Sequence, residues 1–112
     1  MWPFWLRYEN NDYHQTFVYE DKGRVIGTAS ALIEHKFLHY GSSVGHIEDV
    51  VVDKHSRLSG VGKGLIEECV EFCKKGKCYK VILDCSKENI PFYESCGFQY
   101  SENCMRKDLI DG

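Results

Sequence analysis

Several familiar signatures are missing from this sequence of 112 residues. No apolar run approaches the roughly 20 residues that a membrane-spanning helix needs, so we expect no membrane segment. No two cysteines form a Cys-x-x-Cys pair, which argues against a zinc site, and no metal is expected. GxxxxGK[ST] does not occur, and no GxGxxG follows a predicted strand. The common nucleotide-binding loops are therefore excluded.

The sequence also lacks an excess of charge of one sign. Its formal net charge is −3, and acidic and basic residues are interleaved, so we expect no binding to nucleic acid or to a membrane surface. Hydrophobic residues make up 43% of the chain and charged residues 28%, proportions typical of a folded protein. We therefore expect one domain over residues 1–112.

Cysteines, in contrast, are numerous. The six are Cys69, Cys73, Cys78, Cys85, Cys96 and Cys104. They could form the disulfide framework of a small secreted module. Cys69 and Cys73, however, fall within an amphipathic helical pattern, Cys85 ends an apolar strand pattern, and we find no secretory signal before them. We favour reduced, buried thiols that pack as small hydrophobes, and hence a cytoplasmic location.

Hydrophobic periodicity predicts an α/β fold. The predicted strands cover residues 15–20, 24–34, 45–53, 79–84 and 98–107, and the predicted helices cover 60–75 and the segment between Asn89 and Gly97. Asp21-Lys22-Gly23 is a hairpin signal between the first two strands. A strand that follows the long helix predicts parallel pairing with the strand before that helix, and therefore a mixed sheet.

The segment Arg57-Leu58-Ser59-Gly60-Val61-Gly62-Lys63 is a glycine-rich turn that joins a predicted strand to a predicted helix. The first N–H groups of a helix have no partner within it, the helix dipole is positive there, and glycines let a phosphate approach closely. An anion site is one interpretation. The other is a glycine-rich connection without a ligand, and the spacing alone does not decide between the two.

Three polar positions near this turn are candidates for chemistry. Glu48 and Asp49 are adjacent in an apolar strand, so we expect their side chains on opposite faces and at least one carboxylate facing an apolar layer. Either both lie solvated at a strand end or one pairs with a buried cation, or the pairing is interrupted and Glu48 lines a cleft. Asp84 ends the next strand, where ligand groups are common, although a polar strand terminus is equally consistent.

Three blocks of sequence resemble a known family. They are His46-Ile-Glu-Asp-Val-Val-Val, Cys78-Tyr-Lys-Val-Ile-Leu-Asp-Cys85 and Asn89-Ile-Pro-Phe-Tyr-Glu-Ser-Cys-Gly-Phe98. Together with the Arg-x-x-Gly-x-Gly turn they are similar to consecutive segments of the glucosamine-6-phosphate N-acetyltransferases, a family of GNAT acetyltransferases. The resemblance covers roughly residues 13–107.

The resemblance implies a GNAT fold and a reaction. Acetyl would pass from acetyl-CoA directly to the amine of D-glucosamine 6-phosphate, giving N-acetylglucosamine 6-phosphate and CoA, a step toward UDP-N-acetylglucosamine. The family normally begins with a strand and two helices for which this chain shows no counterpart, so we expect an amino-terminally short domain. It also implies a homodimer, with the strand 98–107 and Tyr79-Lys80 near the interface.

Roles for individual residues follow from the same resemblance. The N–H of Val50 would face the thioester carbonyl, Asp84 would orient the amine, and Tyr93 would protonate the coenzyme thiolate, although a tyrosine beside Phe92 is more often a packing residue. We expect Glu48 to accept the amine proton, directly or through water, because a carboxylate in a partly apolar cleft is a better base.

The expected binding residues form two sets. Those for acetyl-CoA are Val50, Val51, Val52, Arg57, Leu58, Ser59, Gly60, Val61, Gly62, Lys63, Asn89, Tyr93, Glu94 and Ser95. Those for the acceptor are Lys36, Phe37, Leu38, His39, Glu48, Asp49, Val50, Tyr79 and Lys80. From composition alone, His35, Lys36 and His39 are better explained as solvated loop residues, and only the resemblance assigns Lys36 and His39 to the acceptor site. An acetyltransferase for another small amine, and a non-catalytic protein that binds acetyl-CoA, remain alternatives.

Overall fold

A computed structural model describes residues 4–6, for the backbone alone, and residues 11–36, 42–55 and 60–110. The elements within these ranges are β1 (Phe4–Leu6), β2 (His14–Asp21), β3 (Arg24–His35), β4 (Ser43–Val52), α1 (Val61–Lys75), β5 (Cys78–Ile82) and α2 (Ile90–Ser95). A single 3₁₀ turn, Lys87–Asn89, leads into α2.

The strands form one mixed sheet in the order β1-β2-β3-β4-β5. Neighbours from β1 to β4 are antiparallel, and β5 is parallel to β4. The hairpin between β2 and β3 turns at Lys22 and Gly23, whose φ angles of 51° and 78° match the two left-handed positions of a tight hairpin turn. The predicted mixed sheet, its hairpin and its parallel pair are confirmed.

Helix α1 packs its apolar stripe on the sheet as the periodicity predicted. Val61, Leu65, Cys69 and Cys73 are buried, and Phe72 on the same stripe is half-buried. A Cβ atom at Gly45 of β4 would overlap the sulfur of Cys73. Glycine at this position therefore lets the helix lie close against the strand, which places the amino-terminal end of α1 near the far end of β4.

The two ends of the chain differ from the sequence-based prediction. Residues 1–11 show no period, yet Phe4–Leu6 pairs with β2 as a short edge strand. The strand predicted over 98–107 is wrong, since no strand forms there and Tyr100 and Met105 are 67% and 95% exposed. Alternating polar and apolar residues make a strand only where a neighbour accepts their hydrogen bonds, and within the described residues this segment has no such neighbour.

All six cysteines are free, as expected from the sequence. Burial raises the pKa of Cys69 and of Cys73 to about 12, so both stay protonated at neutral pH. The expectation that all six are buried is wrong, because Cys85 and Cys104 are exposed. Neither helix in the described part of the chain is long and apolar enough to cross a membrane.

Candidate active site

The site lies where β4 and β5 part. Their last pair is His46 with Ile82, after which β5 ends while β4 continues to Val52. The strands are parallel, so both run into the gap with their carboxyl ends, which is where open α/β sheets place ligands. The gap forms an open cleft of about 180 Å³, room for reacting groups but not for a whole coenzyme.

A β-bulge shapes the β4 side of the cleft. Glu48 pairs with Ser30 and Val51 with Thr28, so Asp49 and Val50 together stand opposite the single residue Ala29. Asp49 takes the extra position with a φ of 53°, in the left-handed region. The bulge breaks the alternation of side chains along the strand.

Because of this bulge, one expectation is wrong. Glu48 and Asp49 are both exposed, and neither carboxylate faces an apolar layer. The prediction assumed an unbroken two-residue period, which the bulge removes. The alternative of interrupted pairing, with Glu48 lining a cleft, is the arrangement found.

The cleft brings together all four residues that were predicted to be catalytic. Its lining comprises Ile47, Glu48, Asp49, Val50, Leu83, Asp84, Cys85, Asn89 and Tyr93. Two segments far apart in sequence supply the walls, the bulged part of β4 and the chain from the end of β5 into α2. Cys85, beside Asp84, was not predicted to line the site. A cysteine at the end of an apolar strand pattern indicates a buried core residue, which is what the sequence analysis expected.

Tyr93 combines the two interpretations that the sequence left open. It is 9% exposed and belongs to the core, with its ring edge-on to Phe92 at 5.0 Å and to Phe98 at 6.2 Å between centroids. It also lines the cleft. Burial, followed by the nearby thiols of Cys85, Cys96 and Cys69, raises the pKa of Tyr93. Its phenol is therefore protonated at neutral pH and able to donate.

The amino-terminal end of α1 is the place where the sequence analysis expects an anion. Gly60 precedes the helix with a φ of 81°, a conformation that favours glycine, and no side chain of the described residues caps the helix start. Its first turn also contains no acidic residue. Val61 is buried, Gly62 is half-buried and Lys63 is exposed. Arg57, Leu58 and Ser59 lie outside the described residues.

Gly62 connects this helix start to the cleft. A Cβ atom there would lie 3.2 Å from Cζ of Phe92 in α2 and 3.6 Å from a methyl group of Val52 in β4. The helix start, the end of β4 and α2 thus meet at one place. Val51 is 62% exposed, and in the part of the chain that the structure describes no strand pairs with β4 on its β5 side beyond His46.

The α2 residues that were predicted to bind coenzyme lie beside this junction. Asn89 is the N-cap residue of α2, but its side chain makes no capping bond, and the residue lines the cleft. Glu94 and Ser95 are exposed, and the Ser95 hydroxyl donates a hydrogen bond to the carbonyl of Phe92.

A cluster of charged side chains lies on the sheet face opposite α1, the face that also carries Glu48. Glu34 accepts hydrogen bonds from Nε2 of His46 at 2.8 Å and Nζ of Lys36 at 3.1 Å. These contacts, with the His46 bond foremost, hold the pKa of Glu34 below its ordinary value. The sequence did not single out Glu34 or His46, because their contact joins two strands.

The remaining predicted acceptor residues are placed only in part. Tyr79 and Lys80 are exposed on the edge strand β5, with Nζ of Lys80 5.5 Å from the centre of the Tyr79 ring. Phe37, Leu38 and His39 lie outside the described residues. Within the described ranges, no three His, Cys, Asp or Glu side chains are grouped so that they could hold a metal ion.

Comparison with known sequences identifies the class. The chain belongs to the acetyltransferase (GNAT) family, whose sequence profile matches residues 1–98. Among curated relatives, the glucosamine 6-phosphate N-acetyltransferase of Trypanosoma brucei brucei is 48% identical over 95 residues, 85% of this chain and 65% of that protein. The enzyme of the same name from Schizosaccharomyces pombe is 39% identical over 101 residues, 86% of this chain and 91% of that protein.

Solved structures agree with the sequence comparison. The crystal structure of glucosamine-6-phosphate N-acetyltransferase from Arabidopsis thaliana superimposes with a TM-score of 0.87 at 44% identity, covering 89% of this chain and 69% of that one. The predicted GNAT fold is thereby confirmed. The chain spans less than two thirds of the length of the T. brucei relative.

Proposed function

We propose that this chain transfers the acetyl group of acetyl-CoA to the amine of D-glucosamine 6-phosphate, giving N-acetylglucosamine 6-phosphate and CoA for UDP-N-acetylglucosamine synthesis. The observation that carries the proposal is the convergence of Glu48, Val50, Asp84 and Tyr93 on one cleft between parting strands. The names of the T. brucei, S. pombe and A. thaliana relatives support this acceptor.

The coenzyme would lie along the exposed end of β4. Its pyrophosphate would accept hydrogen bonds from the N–H groups at the start of α1, which no side chain of the described residues caps and where the helix dipole favours an anion. Its pantetheine arm would hydrogen-bond, as a neighbouring strand does, to the backbone edge of Val50–Val52, which β5 does not cover. The thioester would then reach the cleft, where the N–H of Val50, in the bulged part of β4, would donate to its carbonyl oxygen.

Proton transfers at the nitrogen and at the sulfur complete the reaction. Glu48, exposed at the mouth of the cleft, would take a proton from the substrate ammonium, directly or through water, and Asp84 would orient the amine. The neutral amine would attack the thioester carbon, the tetrahedral intermediate would release the second nitrogen proton to water, and its collapse would break the C–S bond. Tyr93 would give its proton to the departing thiolate, and its raised pKa keeps the phenol protonated until that step.

The charges on the sheet fit an acceptor with an amine at one end and a phosphate at the other. Glu48 and Asp84 form the acidic end at the cleft, and Lys36 lies farther from it, on the β3 end that pairs with the start of β4. Lys80 pairs with Val44 on β5, also toward the start of β4. An ammonium near the carboxylates and a phosphate near the lysines would both be matched.

Turnover measurements test the proposal. Purified protein is mixed with acetyl-CoA and glucosamine 6-phosphate, and thiol release is compared with that for glucosamine and with no acceptor. Release that depends on the phosphate supports both the reaction and the acceptor. Release with other amines alone would favour a different small acceptor, and acetyl-CoA binding without any release would favour a non-catalytic protein.

We also infer a homodimer in the cytoplasm. Edge strand β5 exposes Tyr79 and Ile82, and the segment after α2 exposes Tyr100, Met105, Leu109 and Ile110, large side chains that a partner subunit would cover. Free thiols are typical of a reducing compartment. Sedimentation equilibrium gives the mass of the assembly, and a monomer at micromolar concentration would contradict the dimer.

A further inference from the structure

The cleft contains a nucleophilic side chain that the proposed reaction does not use. Cys85 follows Asp84 in the chain after β5 ends, it is exposed, and it lines the cleft together with Tyr93. A thiolate attacks the sulfur of a disulfide, at a rate that depends on how accessible the thiolate is. A cleft that receives the sulfur of a coenzyme is therefore a place where this thiol can react.

Accessibility separates Cys85 from most of the other thiols. All six cysteines lie in the described part of the chain, and only Cys85 and Cys104 are exposed. Burial raises the pKa of the other four thiols, which favours their protonated and unreactive form. Cys104 is outside the cleft lining. Exchange with a bound coenzyme therefore falls on Cys85, and Cys104 gives the reactivity of an exposed thiol without a binding site.

A buried polar group in the same cleft indicates where a ligand atom lies. Tyr93 is only 9% exposed, yet it lines the cleft. No described residue hydrogen-bonds to its hydroxyl, and no fully buried side-chain oxygen in the described ranges lacks a partner, so this hydroxyl is open to the cleft. A ligand atom that accepts its hydrogen bond lies inside a cleft of about 180 Å³, close to the other lining side chains.

The charge of the lining selects which disulfide enters. Glu48, Asp49 and Asp84 place three carboxylates at the cleft, and among the described residues no Lys or Arg lines it. Glutathione disulfide carries carboxylates a few bonds from its sulfurs, and the lining repels them. The pantetheine arm of coenzyme A is uncharged, and its phosphates lie at the far end of the molecule. The cleft therefore accepts the sulfur of coenzyme A in preference to that of glutathione.

We propose that Cys85 is a modification site that forms a mixed disulfide with coenzyme A. This rests on the proposed function, since it presumes that the coenzyme places its sulfur in the cleft. The Cys85 thiolate, whose proton has passed to solvent, attacks one sulfur of coenzyme A disulfide. A bond forms between Sγ and that sulfur, the original S–S bond breaks, and the released CoA thiolate takes a proton from solvent. Cys85 is thereby oxidised and one CoA is reduced, so no other oxidant is needed.

The adduct blocks the reaction reversibly. Its CoA part occupies the place of acetyl-CoA, and the new disulfide lies in the cleft where the acceptor amine would attack. A coenzyme held along β4 keeps its sulfur at a high effective concentration near Cys85, so exchange there is faster than at a thiol without a binding site. A small reducing thiol reverses the exchange and restores the free cleft.

Intact-protein mass spectrometry with peptide mapping measures the exchange at each cysteine. Wild-type protein, Cys85→Ser and the matched control Cys104→Ser are incubated with coenzyme A disulfide or glutathione disulfide. We expect coenzyme A disulfide to modify Cys85 roughly tenfold faster than Cys104, and glutathione disulfide to show no such preference. Acetyl-CoA at about ten times its Kd should slow the modification of Cys85 roughly tenfold and leave that of Cys104 unchanged.

Activity shows whether the adduct blocks the site. Acetylated product is measured by mass spectrometry after excess disulfide is removed, and each variant is compared with its own untreated rate. Wild type and Cys104→Ser should lose activity in proportion to the CoA added at Cys85, and dithiothreitol should restore it. Treatment should not change the rate of Cys85→Ser. Full activity of the modified wild-type protein would contradict the block.

Two outcomes overturn the modification site itself. Equal rates at Cys85 and Cys104 with coenzyme A disulfide mean that exposure alone explains the reaction. Modification of Cys85 that acetyl-CoA does not slow means that the sulfur arrives outside the coenzyme site. Untreated wild-type protein tests the proposed function separately, by turnover with glucosamine 6-phosphate. Turnover without modification of Cys85 removes this inference alone, whereas modification that acetyl-CoA slows, without turnover, supports it and removes the catalytic role.

Discussion

His46 and Ile82 form the last pair between the parallel strands β4 and β5, and every predicted catalytic residue lies beyond that pair along its own segment. Glu48 and Val50 follow His46 within β4, and Asp84 and Tyr93 follow Ile82. The geometry of the site therefore depends on the paths that the two segments follow after this last pair. On the β4 side this depends on the bulge at Asp49.

The left-handed conformation of Asp49 gives a first prediction. Asp49→Gly and Asp49→Ala both delete the carboxylate, but only alanine is strained at a φ of 53°. We expect Asp49→Ala to be less stable than Asp49→Gly by about 1 kcal/mol in denaturant unfolding, and to have the lower kcat. Equal stability and activity of the two variants would mean that the bulge does not depend on this residue.

The proposed role of Glu48 predicts a change in the pH profile. Glu48→Gln should lower kcat/KM for the amine roughly 100-fold near pH 7, where the substrate is largely an ammonium ion. The defect should shrink at pH values above the pKa of the amine, because the nucleophile is then already neutral. A defect that is constant with pH would assign Glu48 to binding alone.

Tyr93→Phe tests proton donation to the thiolate. The ring and its contacts with Phe92 and Phe98 are retained, so we expect acetyl-CoA affinity and Tm close to wild type and kcat lower by roughly 100-fold. Tyr100→Phe is the control, since Tyr100 is 67% exposed and outside the cleft lining, and its kcat should not change. Unchanged turnover of Tyr93→Phe would leave Tyr93 with a packing role only.

We predict that a larger side chain at position 62 lowers the affinity for acetyl-CoA, for two reasons that can be separated. In Gly62→Val the side chain obstructs the phosphate, and its Cβ lies 3.2 Å from Phe92, so that ring must move. We expect Kd for acetyl-CoA to rise at least tenfold, an effect of about 1.4 kcal/mol. Phe92→Leu in the same chain relieves the second cause, and an affinity restored to that of Phe92→Leu alone would show that Gly62 serves packing and not phosphate binding.

From the buried thiol of Cys69 we predict how the free energy of unfolding changes at alkaline pH. Burial raises its pKa from an ordinary 9.0 to about 12, so above pH 9 the unfolded chain releases this proton while the folded chain keeps it. The free energy of unfolding should therefore fall as pH rises, by up to about 1.4 kcal/mol per unit from this thiol. Cys69→Ala should show a shallower slope between pH 9 and 11 than the control Cys104→Ala, whose thiol is exposed. Equal slopes would contradict the burial effect.

Local pattern predicted a large part of the fold. The stripe from Val61 to Cys73 gave α1 to within one residue at its start, and Lys22-Gly23 gave the hairpin. Both elements are held by hydrogen bonds and contacts between residues close in sequence, so a short window contains their cause. The candidate site came from a different source, because Val50, Asp84 and Tyr93 were selected by resemblance to a family and only then found in one cleft.

What the sequence determined by itself is thus the order and type of its central elements and the family to which it belongs. Tertiary structure alone decided the bulge at Asp49, the parting of β4 from β5 beyond His46, the strand at Phe4–Leu6 and the absence of one over 98–107. Each of these depends on which strand lies alongside, and that neighbour is distant in the chain. Hydrogen bonds between strands are satisfied across the sheet, so no local window of sequence carries them.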